Sequence, residues 1–507
     1  MVYSEDYKKL VDATALKDKY YEIDERVEEI CKEAFKGCDK LEEIVMPKKL
    51  KKIDSEAFQG CSSLTKLTLP DSVMSIGKGA FCGCSGLTEL TLPNSVKSIG
   101  DGAFADCSGL TELTLSNSLV SIGGNAFRWC SELTELTLPN SVTSIGYAAF
   151  GGCSGLEKIT VDGGNKRYDS RDNCNSIIDT ETNTLIVGCK NSVIPNGVTS
   201  IGDSAFGWCS ELTELVLPNS VTRIGDSAFE YCSGLTELTL PNSVASIGDS
   251  AFEYCSGLTK LTLPNSITSI GYSAFYGCSG LTELTLPNSV TSIGDSAFYV
   301  CRGLEKITVE SGNSCYDSRD NCNSIIETET NTLIAGCKNS VIPNSVTSIG
   351  NSAFCGCSGL TELTLPDNIH FIEGEAFMGC SGLTELTLPN SVKSIGDRAF
   401  AYCSGLTELT LPNSVTSIGN CAFGGCSGLT ELTLPNSITS IGDYAFAYCS
   451  DLSKITSLAE IPPMCGFKVF NGVNKTNCEL IVPEGSVAAY TRAEDWNKFS
   501  NIRGFSK

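Results

Sequence analysis

Hydrophobic and polar residues recur along most of this chain with a period of 23 residues. The unit is close to LTELTLPNSVTSIGDSAFxxCSG, and leucines at its positions 1, 4 and 6 give the alternation of a half-buried strand. One unit cannot bury its own apolar side, so neighbouring units must stack and share a core. The pattern predicts a solenoid with full copies that begin at Leu41, Leu64, Leu87, Leu110, Leu133, Leu212, Leu235, Leu258, Leu281, Leu360, Leu383, Leu406 and Leu429.

The second half of each unit returns the chain to the next strand. Pro-Asn-Ser is a turn sequence, and Val at position 10 and Ile at position 13 point back to the interior. The stretch D-S-A-F-x-x-C reads as a short helical turn with Ala, Phe and Cys inward. The predicted fold class is therefore an α/β repeat solenoid, with a parallel sheet on one face and short helical turns on the other.

Two units are longer than the others, at residues 156–211 and 304–359. Each contains a segment, CNSIIDTETNTLIVGC or CNSIIETETNTLIAGC, that predicts a hairpin around TETN with Ile178 opposite Leu185 in the first copy. A long unit and its four short ones form a block of 148 residues that occurs twice, at 156–303 and 304–451.

The two ends depart from the repeat, as solenoid ends must. We expect a cap and degenerate first coil at residues 1–40, with a short helix within 1–17, and the solenoid at 41–451. Residues 452–507 are predicted to form a C-terminal cap with a strand, a helix from about Ser486, and a plug of Trp496 and Phe499.

The repeat resembles a known family. The 23-residue period, LxxLxLP, IGxxAFxxC and the CNSII…NTLIxGC insertion resemble the BspA-like leucine-rich repeat proteins, as does the ending IVPEGSVAAYTRAEDWNKF. The resemblance covers roughly residues 20–505 and implies a right-handed leucine-rich-repeat superhelix. Known members are mostly surface or secreted proteins linked to adhesion and host-protein binding, which implies such a location and role here. Residues 1–26 lack an apolar h-region, so we expect no signal peptide in this chain.

Charge narrows the classes of partner. The net charge of −23 argues against nucleic acid, whose phosphates need clustered Lys and Arg. The sequence contains no run of about 20 apolar residues, so we expect no membrane insertion.

The 27 cysteines fall mainly at one unit position. Stacking places these in a column inside the solenoid, where a reduced thiol behaves as a small apolar group. Two pairs that face across the predicted hairpins, Cys174/Cys189 and Cys322/Cys337, are the best disulfide candidates. The column comprises Cys38, Cys61, Cys84, Cys107, Cys130, Cys153, Cys209, Cys232, Cys255, Cys278, Cys301, Cys357, Cys380, Cys403, Cys426 and Cys449.

Two outward columns are candidate partner-binding surfaces. Unit position 3 is mostly Glu, and Glu385, Glu408 and Glu431 are consecutive members of an uninterrupted run. Strands about 4.8 Å apart make such glutamates repel, and a basic partner would relieve this. The alternative is a solvated, β-favouring face without a ligand.

The second column carries aromatic side chains at unit position 20. We single out Trp208, Tyr231 and Tyr254 as a contact surface for protein or sugar. The alternative is a set of unconstrained solvent positions that drifted after duplication.

The sequence contains no recognisable catalytic motif. The single histidine, His370, has no triad context, no pair of CxxC motifs suggests zinc, and no Gly-rich phosphate loop follows a strand. We therefore expect no enzyme activity and no cofactor. The prediction is a macromolecule-binding scaffold, most simply a protein-interaction or adhesion module whose ligand is a host or cell-surface protein. The alternative is a structural spacer, and the sequence leaves the oligomeric state open.

Overall fold

The computed structural model of the chain describes residues 1–506. They form two compact units that divide between Leu258 and Thr259, and each is described by itself. Each unit is a parallel-sheet solenoid with almost no helix.

Each full coil has the elements for two sheets rather than one. We name them the Glu–Thr sheet, which contains unit positions 3 to 6, and the Ser–Ile sheet, which contains positions 12 and 13. Neighbouring coils pair in parallel and in register, as in Glu89 with Glu112 and Ser98 with Ser121. The Ser–Ile strands, which the sequence interpretation did not assign, arise because Ile at position 13 is buried and its backbone pairs with the coils on either side.

In the first unit, the strands of the Glu–Thr sheet span Tyr20–Glu22, Glu43–Val45, Lys66–Leu67, Glu89–Thr91, Glu112–Thr114, Glu135–Leu138, Lys158–Val161 and Glu237–Thr239. Those of the Ser–Ile sheet span Val2–Tyr3, Lys9–Asp12, Glu29–Ile30, Lys52–Ile53, Ser75–Ile76, Ser98–Ile99, Ser121–Ile122, Ser144–Ile145, Tyr168–Asp169, Ile177–Asp179, Thr184–Val187, Ser200–Ile201, Arg223–Ile224 and Ser246–Ile247.

In the second unit, the Glu–Thr strands span Lys260–Thr262, Glu283–Leu286, Lys306–Val309, Glu408–Thr410, Glu431–Leu434, Lys454–Ser457, Glu479–Pro483 and Asn501–Phe505. The Ser–Ile strands span Ser269–Ile270, Ser292–Ile293, Tyr316–Asp317, Ser324–Glu327, Thr332–Gly336, Ser348–Ile349, Phe371–Ile372, Ser394–Ile395, Ser417–Ile418, Ser440–Ile441 and Met464–Cys465. The helical segments of the described chain are the α-helix Val487–Tyr490 and the 3-10 turns Arg171–Asn173, Arg319–Asn321, Glu484–Ser486 and Trp496–Lys498.

The predicted helical turn in the D-S-A-F-x-x-C stretch is not observed. In a typical coil, the N–H groups of Ser227, Phe229 and Tyr231 donate to carbonyls of the next coil at 2.7–2.8 Å. Ser227 and Tyr231 also have positive φ values of 52° and 57°, which no right-handed helix contains. The stretch is a series of tight turns because alternate N–H groups bond to the neighbouring coil instead of within a helix.

Apolar columns fill the space between the sheets and this turn face. The position-18 phenylalanines stack nearly parallel, as in Phe58, Phe81 and Phe104 with ring centroids 5.0 and 5.2 Å apart. All sixteen column cysteines are buried, as predicted. Most thiols also donate to the carbonyl of the preceding coil's phenylalanine, as Cys232 does to Phe206 at 3.0 Å.

The hairpins in the two long units are confirmed, and Ile178 lies opposite Leu185. The strand Thr184–Val187 then pairs in parallel with Ser200–Ile201, so the hairpin becomes part of the Ser–Ile sheet. The predicted disulfides are wrong for this structure, in which all the cysteines are free thiols. Cys174 and Cys189 instead direct their sulfur atoms to the carbonyls of Ser176 and Asn175.

The ends of the chain differ in how well they were predicted. Residues 1–17 contain no helix; Val2–Tyr3 and Lys9–Asp12 form an antiparallel pair that extends the Ser–Ile sheet. At the C-terminus, the one-turn helix Val487–Tyr490 follows the strand Glu479–Pro483 as expected. Trp496 and Phe499 are buried, and Trp496 Nε1 donates to the carbonyl of Pro463 at 2.9 Å.

We expect Phe81→Ala to destabilise the chain by about 3–5 kcal/mol, because it opens a cavity between two stacked rings. Phe371→Ala is the matched control, since the Phe371 side chain is exposed. Thermal and urea unfolding of both variants measure the difference. An equal, small effect of the two substitutions would contradict the stacked core.

We also expect the column cysteines to resist alkylation in the folded protein at pH 8. Burial raises the pKa of the Cys61 and Cys403 thiols to about 12, so the reactive thiolate is scarce. Cys315 and Cys421 are only partly buried and should react first. Mass spectrometry after timed alkylation checks the order, and fast labelling of Cys232 would contradict it.

Candidate functional site

The Glu–Thr sheet presents an acidic surface. Outward glutamates at position 3 and threonines at position 5 flank the buried leucine at position 4, so both side chains point to solvent. Pairing in register puts like residues side by side, as in Glu408 with Glu431 and Thr410 with Thr433.

Lysines neutralise some of these glutamates. In most coils that carry Lys at position 3, the ammonium reaches back to the preceding carboxylate, as in Lys158–Glu135 at 3.2 Å and Lys454–Glu431 at 3.0 Å. Exposed pairs of this kind contribute little stability, but they cancel local charge.

Of the three glutamates singled out from the sequence, Glu385 and Glu408 lie in the longest stretch without this compensation, and Glu431 lies at its end. Among the described residues, Glu362, Glu385 and Glu408 are exposed and form no ion pair, and the run ends at Glu431, which Lys454 contacts. Grooves of about 520 and 430 Å³ lie along this stretch. Both are lined by Glu385, with Glu408 in the larger and Glu362 in the smaller. The geometry therefore offers carboxylates beside concave backbone surface.

The aromatic candidates also come together in the first unit, but as a self-stacked ladder. Trp208 stacks on Tyr231 at 5.6 Å and Tyr231 on Tyr254 at 4.6 Å, with interplanar angles of 10° and 23°. The face of a ring that packs on its neighbour is closed to a sugar, so Tyr231 offers mainly its edge and hydroxyl. This arrangement weakens the sugar-binding interpretation.

Two further residues extend the ladder beyond Trp208, Tyr231 and Tyr254. Trp129 meets Trp208 edge to face at 5.1 Å, and the Arg128 guanidinium lies 4.6 Å from the centre of the Trp208 ring. Trp129 reaches across because Gly152, at φ +76°, leaves space; a Cβ there would lie 2.8 Å from the indole. The sequence did not predict this contact, because a long unit separates Trp129 from Trp208 along the chain.

Sequence interpretation also missed two polar ladders between coils. The Asp203 carboxylate accepts the N–H of Asp226 at 3.0 Å, and that of Asp226 accepts the N–H of Asp249 at 3.1 Å. Ser95 Oγ donates to the carbonyl of Val73 at 2.6 Å. The signal was present, since Ser stands at position 9 in eleven of the thirteen full copies and Asp at position 15 in six of them.

Among residues 1–506, no group of three or more His, Cys, Asp or Glu side chains has the arrangement of a metal site. Within the same residues, no helix has the length and apolar character needed to cross a bilayer.

The fold and its surfaces place the chain in a class of leucine-rich repeat solenoids. The family model for the BspA type leucine rich repeat region matches residues 15–108, 51–178, 199–326 and 325–453. The chain belongs to this family.

Solved structures include proteins that are similar to this chain. A leucine-rich cell surface protein from Faecalibacterium prausnitzii is 29% identical over 73% of this chain and 87% of its own, with a TM-score of 0.52. A leucine-rich repeat protein from Bacteroides ovatus is 29% identical over 81% and 83%, with a TM-score of 0.37. The pneumococcal vaccine antigen PcpA is 20% identical over 83% and 89%, with a TM-score of 0.49. None of the curated proteins matches the chain.

We predict that Tyr231→Ala lowers the free energy of unfolding by about 1–3 kcal/mol, because it removes two ring contacts worth about 0.5–1.5 kcal/mol each. Tyr402→Ala is the control, since Tyr402 occupies the same unit position with most of its side chain exposed. Urea unfolding of both variants tests this. Equal, negligible effects would restore the interpretation of Tyr231 as a free surface residue.

Proposed function

We propose that the protein is a non-catalytic scaffold that binds a basic segment of another protein along the Glu–Thr sheet of its second unit. The observation that carries the proposal is the run Glu362, Glu385 and Glu408, whose carboxylates have no cationic partner among the described residues. The family membership and the cell-surface relative support an adhesion role toward a host or cell-surface protein. We also propose that the solenoid coils in the right-handed sense that the family implies.

Binding of a basic segment would relieve the electrostatic repulsion between neighbouring glutamates. Adjacent carboxylates about 4.8 Å apart repel each other, and a bound Lys or Arg replaces that repulsion with attraction. The grooves beside Glu385 would admit the stems of such side chains against the backbone.

We expect the affinity for the partner to fall as salt rises, since charge screening at 0.1 M limits exposed charges to a reach of about 10 Å. The triple variant Glu385→Lys, Glu408→Lys and Glu431→Lys should weaken binding at least tenfold. The partner is obtained by affinity capture with the intact chain and then measured as a purified protein.

The matched control reverses Glu89, Glu112 and Glu135, which occupy the same unit position in the first unit and change the net charge equally. Equal losses in the two triple variants would show a general charge effect and would refute a site on the second unit.

The runner-up is a structural spacer without a specific ligand. The Asp and Ser ladders favour it, because they tie each coil to the next along the repeat. Capture experiments that yield no specific, saturable partner would support the spacer over the scaffold.

A further inference from the structure

A cleft of about 340 Å³ lies in the second unit, where the long unit 304–359 interrupts the stack of short coils. One wall is the turn that contains Asp295 and Phe298, and the other is the hairpin strand Thr332–Gly336. Asp295, Glu327 and Glu373 line it, together with Phe298 and Ala335. Its volume is at the lower end of the range for ligand pockets, about 300–1,000 Å³.

The cleft exposes part of the phenylalanine ring at unit position 18, which is buried in the other coils. Within residues 1–506, every position-18 phenylalanine of the repeat is buried except Phe298. Phe298 packs on Phe275 at 5.6 Å, while atoms of Phe298 also line the cleft. A planar cation stacks well on such a ring.

The first long unit provides an internal comparison 148 residues earlier in the chain. The local backbone is the same in both copies. Asn165 Oδ1 accepts the N–H groups of residues 167 and 168 at 2.9 Å, and Asn313 Oδ1 accepts those of residues 315 and 316 at 2.9 Å. Tyr168 pairs with Asp179, and Tyr316 pairs with Glu327. Differences between the copies therefore come from side chains.

In the first copy, the chain's own side chains occupy this region. The guanidinium of Arg167 donates to the carboxylate of Asp179 at 2.7 Å and also contacts Glu181. The hydroxyls of Tyr147 and Ser204 bond at 2.8 Å across the gap between the two turns.

In the second copy, two of these groups and a nearby valine are replaced by smaller or acidic residues. Cys315 stands in place of Arg167, Asp295 in place of Tyr147, and Ala335 in place of Val187. Glu327 stands in place of Asp179, and among residues 1–506 its carboxylate accepts a hydrogen bond from the Thr330 hydroxyl at 2.6 Å and forms no ion pair. The carboxylate remains, and the guanidinium that its counterpart holds is missing.

We propose that this cleft receives the guanidinium of an arginine side chain presented by a partner polypeptide. Glu327 would hold it as Asp179 holds Arg167, Asp295 adds a second carboxylate, and the Phe298 ring stacks on the planar group. Arginine fits better than lysine because its planar fork combines stacking with paired hydrogen bonds. The site shares no residue with the acidic run of the Glu–Thr sheet, so each proposal can fail alone.

The test is isothermal titration calorimetry of the intact chain with N-acetyl-arginine amide. N-acetyl-citrulline amide is a neutral probe of nearly the same shape, and we expect it to bind at least tenfold more weakly. Methylguanidine tests the free cation, and we expect weaker binding because it lacks the stem that packs on Phe298. Equal binding of the citrulline probe would overturn the proposal, and tighter binding of methylguanidine would overturn the assignment to a side chain.

Variants at residues 315 and 327 distinguish a blocked or weakened site from a misfolded protein. Cys315→Arg should abolish binding, because its own guanidinium reaches Glu327 as Arg167 reaches Asp179. Cys315→Ser should bind like the original chain, and Glu327→Gln should lose at least tenfold in affinity. Thermal unfolding confirms that each variant is folded. Unchanged binding by folded Cys315→Arg would refute the site.

Discussion

Stacking at a single strand spacing is the constraint on which the rest of this structure depends. Each coil leaves half of its backbone N–H groups on the turn face without a partner of its own, and the next coil supplies the carbonyls. Once the coils lie at that distance, identical side chains must also meet identical side chains. The Phe column, the Cys thiols on Phe carbonyls, and the Asp and Ser ladders are the side chains that tolerate this repetition.

The apolar half of this arrangement was predictable from the sequence. Leucines at alternate positions and the A-F-x-x-C block indicated which residues are buried, and CNSII…NTLI indicated the hairpins. The turn face was not predictable in the same way, because inward Ala, Phe and Cys satisfy both a helical turn and a chain of tight turns. The choice depends on the N–H groups of Ser227 and Tyr231, whose partners lie in another coil. A pattern within one unit contains no information on that bond.

The candidate surfaces were likewise predictable from the sequence only in part. The Glu run could be located from the sequence, because position 3 is exposed on any such strand. The aromatic ladder could be located only in part: the contact of Trp129 with Trp208 requires the long unit to leave their coils close together, with Gly152 between them. Its self-stacking follows from the same spacing, since rings that recur at one position in adjacent coils pack on each other before they meet a partner.

A stacked repeat satisfies its backbone and apolar groups where it is regular. Recognition needs groups that the neighbouring coil leaves unsatisfied, and in this protein these occur where acidic residues repeat without a lysine and where a long unit interrupts the stack. The glutamates from Glu362 to Glu408 lack the lysine that closes the pair at Glu431. At the second long unit, the bridge between the hydroxyls of Tyr147 and Ser204 has no counterpart, and Phe298 is partly exposed to the cleft. Because the two long units share a backbone and differ in few side chains, the exchanges at residues 295, 315 and 335 distinguish the proposed arginine site from its occupied counterpart in the first copy.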